Sequence, residues 1–361
     1  MSRARDFANL AGSADVGGIT GRNMIINGNM AVAQRSTSLT VGDSTEYKTL
    51  DRYPIAINGT TAGRATMSQA TDAPSGFGSS MKFDVTTADT SIGSGEAFGF
   101  AQRIEGQNLQ QLAKGTSDAK ACTLSFYAKG TAKTYVVETR DANSRQVSAT
   151  FSVTTSWQRF EITIPADTTG TIADDNTTEL QIIWWLHAGS DFTSGTLNTS
   201  WATSVNANRM VGCGSIFSST DNELLITGVS LEIGDVATPF EHESYAATLQ
   251  KCQRYYYNTY LTAQSSGAGA SGLQAGTFNA GDRYNVDNCF AVEMRAQPTV
   301  VFYGGRSGSS NTADRVSLYN ADTLRSFATE PVATLKGLRG YFDTNNTDAA
   351  IRYHFTANAE L

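Results

Sequence analysis

Short segments in which apolar and polar residues alternate run through most of this chain, and they constrain its fold more than any other feature. The clearest is residues 156–165, in which Phe160 and Ile164 fall on one face. Residues 80–85 and 121–128 alternate in the same way. Alternation with period two, interrupted by turn residues, is typical of antiparallel strands with one buried face and one wet face. The pattern predicts an all-β protein, built as a jelly-roll sandwich.

Weaker patterns predict further elements. A strand is expected to start at Met24, and another to span residues 47–57 with Asp51-Arg52-Tyr53 inside it. A third is expected over residues 290–295, before Pro298. Helical periodicity is brief and is found chiefly over residues 107–113.

A change of composition near residue 244 divides the chain. The alternating strand of residues 225–233 ends at Gly234, Pro239 stops the sheet, and a short helical pattern follows over residues 245–249. The following stretch, around residues 265–272, is rich in Gly and Ser. Because 361 residues favour two domains over one, we predict a jelly roll over residues 22–243 and a smaller C-terminal β-domain over residues 244–361.

Residues 1–21 contain too little apolar surface to fold alone. Phe7 and Leu10 lie three apart, next to Arg3 and Arg5, which is enough for one amphipathic turn before glycines break the helix. The segment is either a disordered tail or an arm, extended or briefly helical, that orders against a neighbouring protein.

Composition argues against several functions. The formal net charge of −7 is opposite to that of a general nucleic-acid binder. No run of eighteen apolar residues is present, so no membrane insertion is expected. The N-terminus lacks the apolar core of a signal peptide, which favours assembly in a cytoplasm followed by release through lysis. The weakly charged surface, with 17% charged residues, suits an extracellular β-protein.

The four cysteines match no zinc-binding pattern. Cys122 alternates in phase with apolar neighbours and is expected to be a small buried hydrophobe. All four are expected to be free thiols, as is usual after cytosolic assembly. The alternative is one disulfide, between Cys252 and Cys289.

Neither a cofactor nor a metal is expected, and the chain is not expected to be an enzyme. Asp174-Asp175-Asn176 and Glu179 supply oxygen atoms that could bind calcium, but their spacing is not that of an EF-hand and solvated loop acids are commoner. No nucleophile elbow, zinc-protease motif or phosphate-binding loop is present in the sequence. No pair of carboxylates is marked out for glycoside hydrolysis.

Three aromatic residues are candidates for glycan binding. Trp185 is expected to face outward from a strand, together with His187, where it would stack on a sugar, pack against another subunit or lie under a covering loop. Trp201 lies in a polar stretch typical of a loop, beside hydroxyl groups that suit a sugar site. Tyr256 faces away from its two tyrosine neighbours in a strand, and is either a binding residue or part of a half-buried domain junction.

Several motifs carry a family resemblance. They are Asn23-Met24-Ile25-Ile26-Asn27-Gly28-Asn29-Met30 with Gln34-Arg35 and Asp51-Arg52-Tyr53; Gln102-Arg103-Ile104-Glu105, Leu124 to Gly130 and Trp157-Gln158-Arg159-Phe160; and Val229 to Gly234, Pro239-Phe240-Glu241 and Cys252-Gln253-Arg254-Tyr255-Tyr256. Together they resemble the carbohydrate-binding-module-like jelly roll of tailed-bacteriophage fibres, spikes and receptor-binding proteins. The start of the chain, with Arg3, Arg5, Phe7 and Leu10, is similar to short virion-anchoring arms of such fibres.

The resemblance implies a homotrimeric structural protein located in the virion. It implies that residues 1–21 contact other virion proteins and that the trimer binds a host surface glycan during adsorption. Loops at residues 264–272 and 304–312 are candidates for contact with the host, on position and composition. The alternatives are a head fibre, capsid decoration or tail adaptor with a purely structural role, and a glycan depolymerase.

Overall fold

The computed structural model describes residues 21–259, 274–277, 283–304, 315–318, 324–326, 332–343 and 350–361. The chain divides into two compact units, of which the first comprises residues 1–31 and 38–245 and the second residues 32–37 and 246–361. The arm residues Arg3, Arg5, Phe7 and Leu10 lie outside the described residues.

The described part of the first unit is almost entirely β-structure. Its strands are β1 (Ser38–Val41), β2 (Ile55–Asn58), β3 (Arg64–Ala70), β4 (Ser80–Thr87), β5 (Ala97–Glu105), β6 (Cys122–Gly130), β7 (Lys133–Asp141), β8 (Arg145–Val153), β9 (Gln158–Ile164), β10 (Thr178–Ala188), β11 (Ala202–Thr203) and β12 (Glu223–Ile233). Its helices are the single turn α1 (Ser190–Thr193) and 3₁₀ turns at Gly106–Asn108, Gln110–Leu112, Asn206–Asn208 and Ile216–Ser218. The helical pattern of residues 107–113 therefore corresponds to two 3₁₀ turns.

Two six-stranded sheets form the sandwich. Sheet A has the order β1-β3-β4-β12-β6-β9, and sheet B has the order β11-β8-β7-β10-β5-β2. Every described pairing within them is antiparallel. The prediction of an all-β jelly-roll sandwich is confirmed.

Aromatic side chains fill the space between the two sheets. Trp184 of β10 stacks on Phe100 of β5, with ring centroids 5.0 Å apart and planes 5° from parallel. Phe83 of sheet A lies 5.4 Å from Phe100, and Phe126 meets Trp184 edge-on at 5.9 Å. All four residues are fully buried. These contacts join the two sheets across the core, where aromatic pairs add to the stability gained by burying apolar area.

Residues 23–28 cover an open edge of β12. Strand β4 pairs with β12 only as far as Ile226, so the rest of that edge needs other hydrogen-bond partners. Asn23 supplies them, since its Oδ1 accepts from Leu231 N (3.0 Å) and its Nδ2 donates to Val229 O (3.1 Å). Val229 N donates to Gly28 O. The strand expected from Met24 is therefore an irregular segment that caps a sheet edge.

The strand expected over residues 47–57 is also wrong for most of its length, because only Ile55–Asn58 (β2) joins a sheet. Arg52 has φ = +72°, which a strand does not allow, and its buried guanidinium donates from Nη2 to Arg103 O at 2.7 Å. Asn27 Nδ2 donates to Asp51 O. Side chains and local backbone bonds, such as that from Ile55 N to Glu46 O, take the place of a strand ladder here.

The second unit contains a helix and two smaller sheets. The helix α2 (Tyr245–Gln253) begins at the boundary between the units, and no helix in the described residues is long and apolar enough to cross a membrane. The strands are β13 (Tyr256–Asn258), β14 (Gln274–Thr277), β15 (Arg283–Cys289), β16 (Thr299–Gly304), β17 (Arg315–Leu318), β18 (Leu324–Ser326), β19 (Val332–Ala333), β20 (Gly337–Asp343) and β21 (Ala350–Asn358). One sheet has the order β13-β21-β17-β18, with β14 and β16 also paired to β21, and the other has the order β15-β20-β19.

Two details of this unit differ from the sequence prediction. The strand expected over residues 290–295 is absent, since β15 ends at Cys289 and Phe290 packs into the core with Phe355. Residues 32–37 belong to this unit rather than to the jelly roll. Gln34 Nε2 donates to Tyr256 O at 2.8 Å, and Asn258 Nδ2 donates to Gln34 O at 2.7 Å.

Candidate functional site

Trp201 lies just before the edge strand β11 and is half-buried. Its indole Nε1 donates to Pro165 O at 2.7 Å, which fixes the ring against the end of β9. Lys114 Nζ lies 4.7 Å from the ring centroid, within the range of a cation–π contact. The ring borders a small open cavity that Lys120 and Asp167 also line. We call Trp201, Lys114, Lys120, Pro165 and Asp167 the Trp201 site.

A network of charged side chains lies next to the Trp201 ring. Lys114 Nζ pairs with Asp141 and, at 2.9 Å, with Asp167 Oδ2. Arg145 binds both oxygens of Asp167, from Nε at 2.7 Å and from Nη2 at 2.9 Å. Arg145 Nη2 also lies 3.4 Å from Trp201 O. Lys114 and Arg145 therefore balance the charges of Asp141 and Asp167 next to the indole. The two hydrogen bonds from Arg145 to Asp167 fix the geometry of that pair.

The network keeps Asp167 ionised. Burial by itself would raise the pKa of this carboxyl, but hydrogen bonds from Arg145 and Lys114 outweigh it and hold the pKa below its ordinary value. An aromatic ring beside fixed charged donors and acceptors has the composition of a carbohydrate subsite, because sugars present both apolar faces and hydroxyl groups.

Trp185 projects from the outer face of sheet B, as expected, but it is only 4% exposed. Residues 189–215, which we call the covering segment, contribute Phe192 and Met210 to an apolar cluster with Trp185. The indole Nε1 donates to Glu138 Oε2 at 2.7 Å. Of the interpretations that the sequence left open, packing under a covering loop describes this residue.

Tyr256 is 7% exposed at the start of β13. The guanidinium carbon of Arg35 lies 3.7 Å from its ring centroid, and Arg35 pairs in turn with Glu360 at 3.2 Å. The stacking surface of Tyr256 is thus occupied by a side chain of the same unit. Among the three aromatic candidates, Trp201 has the most accessible ring, and the binding role of each remains a prediction.

Sequence reasoning did not single out Trp157, which has a similar environment at the start of β9. Its Nε1 donates to Asp72 Oδ1 at 3.1 Å, and Lys129 Nζ lies 5.5 Å from the ring centroid. Lys129 pairs with Asp72. A half-buried Trp next to an alternating strand gives no signal that separates this site from ordinary packing.

The acids proposed for calcium act as loop acceptors. Asp175 Oδ1 accepts from the backbone N of Thr177 at 2.9 Å and from its hydroxyl at 2.7 Å. Glu179 Oε2 accepts from Ala173 N at 3.3 Å. Within the described residues, the group with metal-binding geometry is a different one, formed by Asp89, Glu96 and His187. Sequence reasoning missed it because His187 is far in the chain from Asp89 and Glu96.

The two host-contact loops, at residues 264–272 and 304–312, lie outside the described residues apart from Gly304 at the end of β16. Cys122 is buried in the sandwich core as expected, and burial raises the pKa of its thiol to about 12.

No protein-family model matches the sequence. No curated protein matches it either.

Solved structures that share the sandwich in outline include a phage protein and carbohydrate-binding modules. The enzymatically active domain of tailspike protein 4 from bacteriophage CBA120 is 13% identical with a TM-score of 0.31, over 59% of this chain and 22% of that one. The family 11 carbohydrate-binding module of the cellulase Lic26A-Cel5E of Clostridium thermocellum is 12% identical with a TM-score of 0.28, over 56% and 99%. The module TmCBM61, in complex with β-1,4-galactotriose, is 11% identical with a TM-score of 0.31, over 59% and 100%. Scores this low describe a likeness in strand arrangement only.

Proposed function

We propose that this chain is a structural, non-enzymatic protein of a tailed-phage particle, a homotrimeric fibre or spike that binds host surface glycans through the Trp201 site. The observation that carries the glycan-binding part is the environment of Trp201. Its ring is partly exposed, its indole N–H is held by Pro165 O, and Lys114 and Asp167 stand beside it. The sequence motifs described above support the phage assignment.

The chemistry of binding follows from these groups. The apolar face of a sugar ring would pack on the indole, while the exposed Lys120 would donate hydrogen bonds to its hydroxyls. The ion pairs next to the ring already fix Lys114, Asp141 and Asp167, so little ordering is needed on binding. One such small, open site binds weakly, and three sites on one trimer gain avidity without new contacts.

The remaining parts of the chain have separate roles in this proposal. Residues 1–21 attach the trimer to other virion proteins. The C-terminal β-domain forms trimer contacts, and its loops at residues 264–272 and 304–312 provide a second region of host contact. The outline likeness of the sandwich to carbohydrate-binding modules agrees with this proposal but does not carry it.

The experiment compares two matched tryptophan variants on an array of bacterial surface polysaccharides. Trp201→Ala is expected to reduce binding about tenfold or more, as is usual for an aromatic hot spot. Trp157→Ala is the control, because that residue is also half-buried, N–H bonded and next to a lysine. Light scattering first establishes that both variants remain trimers. Equal glycan binding by Trp201→Ala and the unmodified trimer would show that Trp201 is not part of the glycan site.

A deletion after Ser244, tested in parallel for binding to bacterial cells, separates the two proposed contact regions. Loss of cell binding with glycan binding retained would place the receptor contact in the C-terminal domain. A folded full-length trimer that binds neither glycans nor cells would favour the purely structural alternative. Release of reducing ends from a bound polysaccharide would contradict the non-enzymatic assignment.

A further inference from the structure

Three side chains that can ligate a metal converge at one end of sheet B. Asp89 and Glu96 lie in the loop between β4 and β5, and His187 lies near the end of β10. One ligand atom from each lies within 4.8 Å of the other two. His187 is fully buried, Asp89 is 5% exposed, and the side chain of Glu96 is 14% exposed. None of them belongs to the Trp201 site.

A β-bulge places His187 in this cluster. Trp184 pairs with Phe100 and Trp185 with Gly99, but His187 rather than Leu186 pairs with Phe98. The extra residue turns His187 to the same face as Trp184, where its ring lies 5.5 Å from that of Phe217. Simple alternation predicts His187 on the outer face with Trp185, and that prediction is wrong.

The hydrogen bonds around the cluster leave one position on each ligand for a metal. His187 Nδ1 lies 2.7 Å from Ser215 Oγ, so Nδ1–H can donate there and leave Nε2 unprotonated toward Glu96. Asp89 Oδ2 already accepts from Thr61 Oγ1 and Ala62 N. Asp89 Oδ1 accepts only from Ser91 N, which leaves a lone pair on that oxygen.

The charges of the cluster call for a cation. Within the described residues, neither Asp89 nor Glu96 forms an ion pair with a lysine or an arginine, and the side chain facing Glu96 is the imidazole of His187. Two carboxylates with little access to water are costly unless a positive charge lies between them. His187 Nε2 is 3.4 Å from Glu96 Oε2, which is long for a hydrogen bond.

We propose that Asp89, Glu96 and His187 bind one divalent transition-metal ion, with Zn²⁺ the best fit. Imidazole nitrogen and carboxylate oxygen are both ligands that zinc takes, and three such ligands leave room for a fourth. Ligand atoms on zinc stand roughly 3.3 Å apart, given zinc–ligand distances of about 2.0–2.1 Å. The pair formed by His187 and Glu96 already has this spacing. The carboxylate of Asp89 needs to close by no more than about 1.5 Å to match those distances.

The ion would join segments that lie far apart in the chain. Asp89 accepts hydrogen bonds from Thr61 and Ala62 in the loop after β2. His187 is hydrogen-bonded to Ser215 at the end of the covering segment. Glu96 O also accepts from Gly189 N, at the start of that segment. The proposed metal therefore fixes both ends of the covering segment to sheet B. The inference is independent of glycan binding.

The test is zinc titration of the full-length protein, purified without a polyhistidine tag, stripped with EDTA and dialysed. Calorimetry is expected to show one Zn²⁺ bound per chain. Glu96→Gln, which keeps the shape of the side chain, should weaken zinc binding at least tenfold, while the control Glu161→Gln on β9 should leave it unchanged. About a hundredfold excess of Zn²⁺ over Kd should raise Tm by roughly 5–10 °C in the unmodified protein.

Two results would overturn the proposal. One is the absence of saturable zinc binding by the folded, unmodified protein. The other is equal zinc affinity in Glu96→Gln and the unmodified protein, with circular dichroism showing that both are folded. Calcium is included as a comparison, and binding of Ca²⁺ as tight as that of Zn²⁺ would contradict the transition-metal assignment, because an imidazole nitrogen disfavours calcium.

Discussion

Arg209 binds Glu138 through two parallel hydrogen bonds, from Nε to Oε1 and from Nη2 to Oε2, each 2.9 Å long. Glu138 is fully buried in β7, and Arg209 belongs to the covering segment. The guanidinium carbon also lies 5.5 Å from the ring centroid of Trp185, whose N–H donates to the same carboxylate. This pair fixes the covering segment to the outer face of sheet B.

Removing the cation of this pair should destabilise the first unit strongly. Arg209→Met leaves Glu138 buried without a positive partner, and breaking a buried pair from one side typically costs about 3–5 kcal/mol. Urea denaturation followed by tryptophan fluorescence measures the change. The control is Lys82→Met, which removes a partly exposed pair with Glu223 and should cost no more than about 1 kcal/mol. Similar losses in the two variants would contradict the structural role given to Arg209.

Gly28 is predicted to tolerate no side chain. A Cβ at this position would stand 2.1 Å from Val229 O, so Gly28→Ala must push the segment of residues 23–28 away from β12. Overpacking of this kind typically costs about 1–3 kcal/mol, and here it also threatens the bond from Val229 N to Gly28 O. Gly78→Ala is the matched control, because its Cβ meets no atom within 4 Å. The denaturation midpoints of the two variants should differ clearly, and equal midpoints would mean that the segment is not held as described.

Acid should remove the stability that Asp167 contributes. The pKa of Asp167 in the folded protein lies below the ordinary value of 3.8. Its contribution to the free energy of unfolding is therefore complete at pH values above 3.8, and it is lost as the pH falls through the lower pKa of the folded protein. Asp167→Asn mimics the protonated side chain. The difference in unfolding free energy between the unmodified protein and this variant should be constant near neutral pH and shrink below about pH 4, following the ordinary carboxyl pKa. A difference that stays unchanged down to pH 3 would argue against an ionised Asp167 in the network.

The cysteines should differ in reactivity. Cys289 is exposed at the end of β15, whereas burial raises the pKa of Cys122 to about 12, so only about one in ten thousand Cys122 thiols is ionised at pH 8. A thiol reagent added to the native protein should label Cys289 rapidly and Cys122 only after unfolding. Mass spectrometry of the labelled peptides identifies each site, and Cys289→Ser should abolish the rapid phase. Rapid labelling of Cys122 in the native protein would show that the sandwich core opens readily.

Local sequence predicted the regular strands well and the irregular segments poorly. Alternation identified β4, β6 and β9, because each has one buried and one wetter face over part of its length. The segments beginning at Met24 and Tyr47 also contain apolar residues typical of strands. They are held instead by bonds from side chains of their own, such as Asn23 and Arg52, to backbone groups of distant strands, and single-sequence periodicity cannot reveal these.

In the candidate sites too, local sequence predicted single residues but not the distant residues that they contact. A loop tryptophan among hydroxyl residues marked Trp201, but its partners Lys114, Pro165 and Asp167 come from other parts of the chain. Trp185 was placed on the correct face of β10, and the covering segment that buries it could not be foreseen from β10 alone. His187 was placed on the wrong face because a bulge shifts the register by one residue.

The sequence by itself determined the all-β class, the sandwich and the change of character near residue 244, because period-two patterning and turn residues act over a few neighbouring positions. The tertiary structure decided which outward side chains meet solvent, which carboxylates lie beside cations, and which three residues form a metal-ligand set. These properties depend on strand order, on bulges and on segments that cross a sheet, which bring together residues such as Asp89 and His187 that are distant from each other in the sequence.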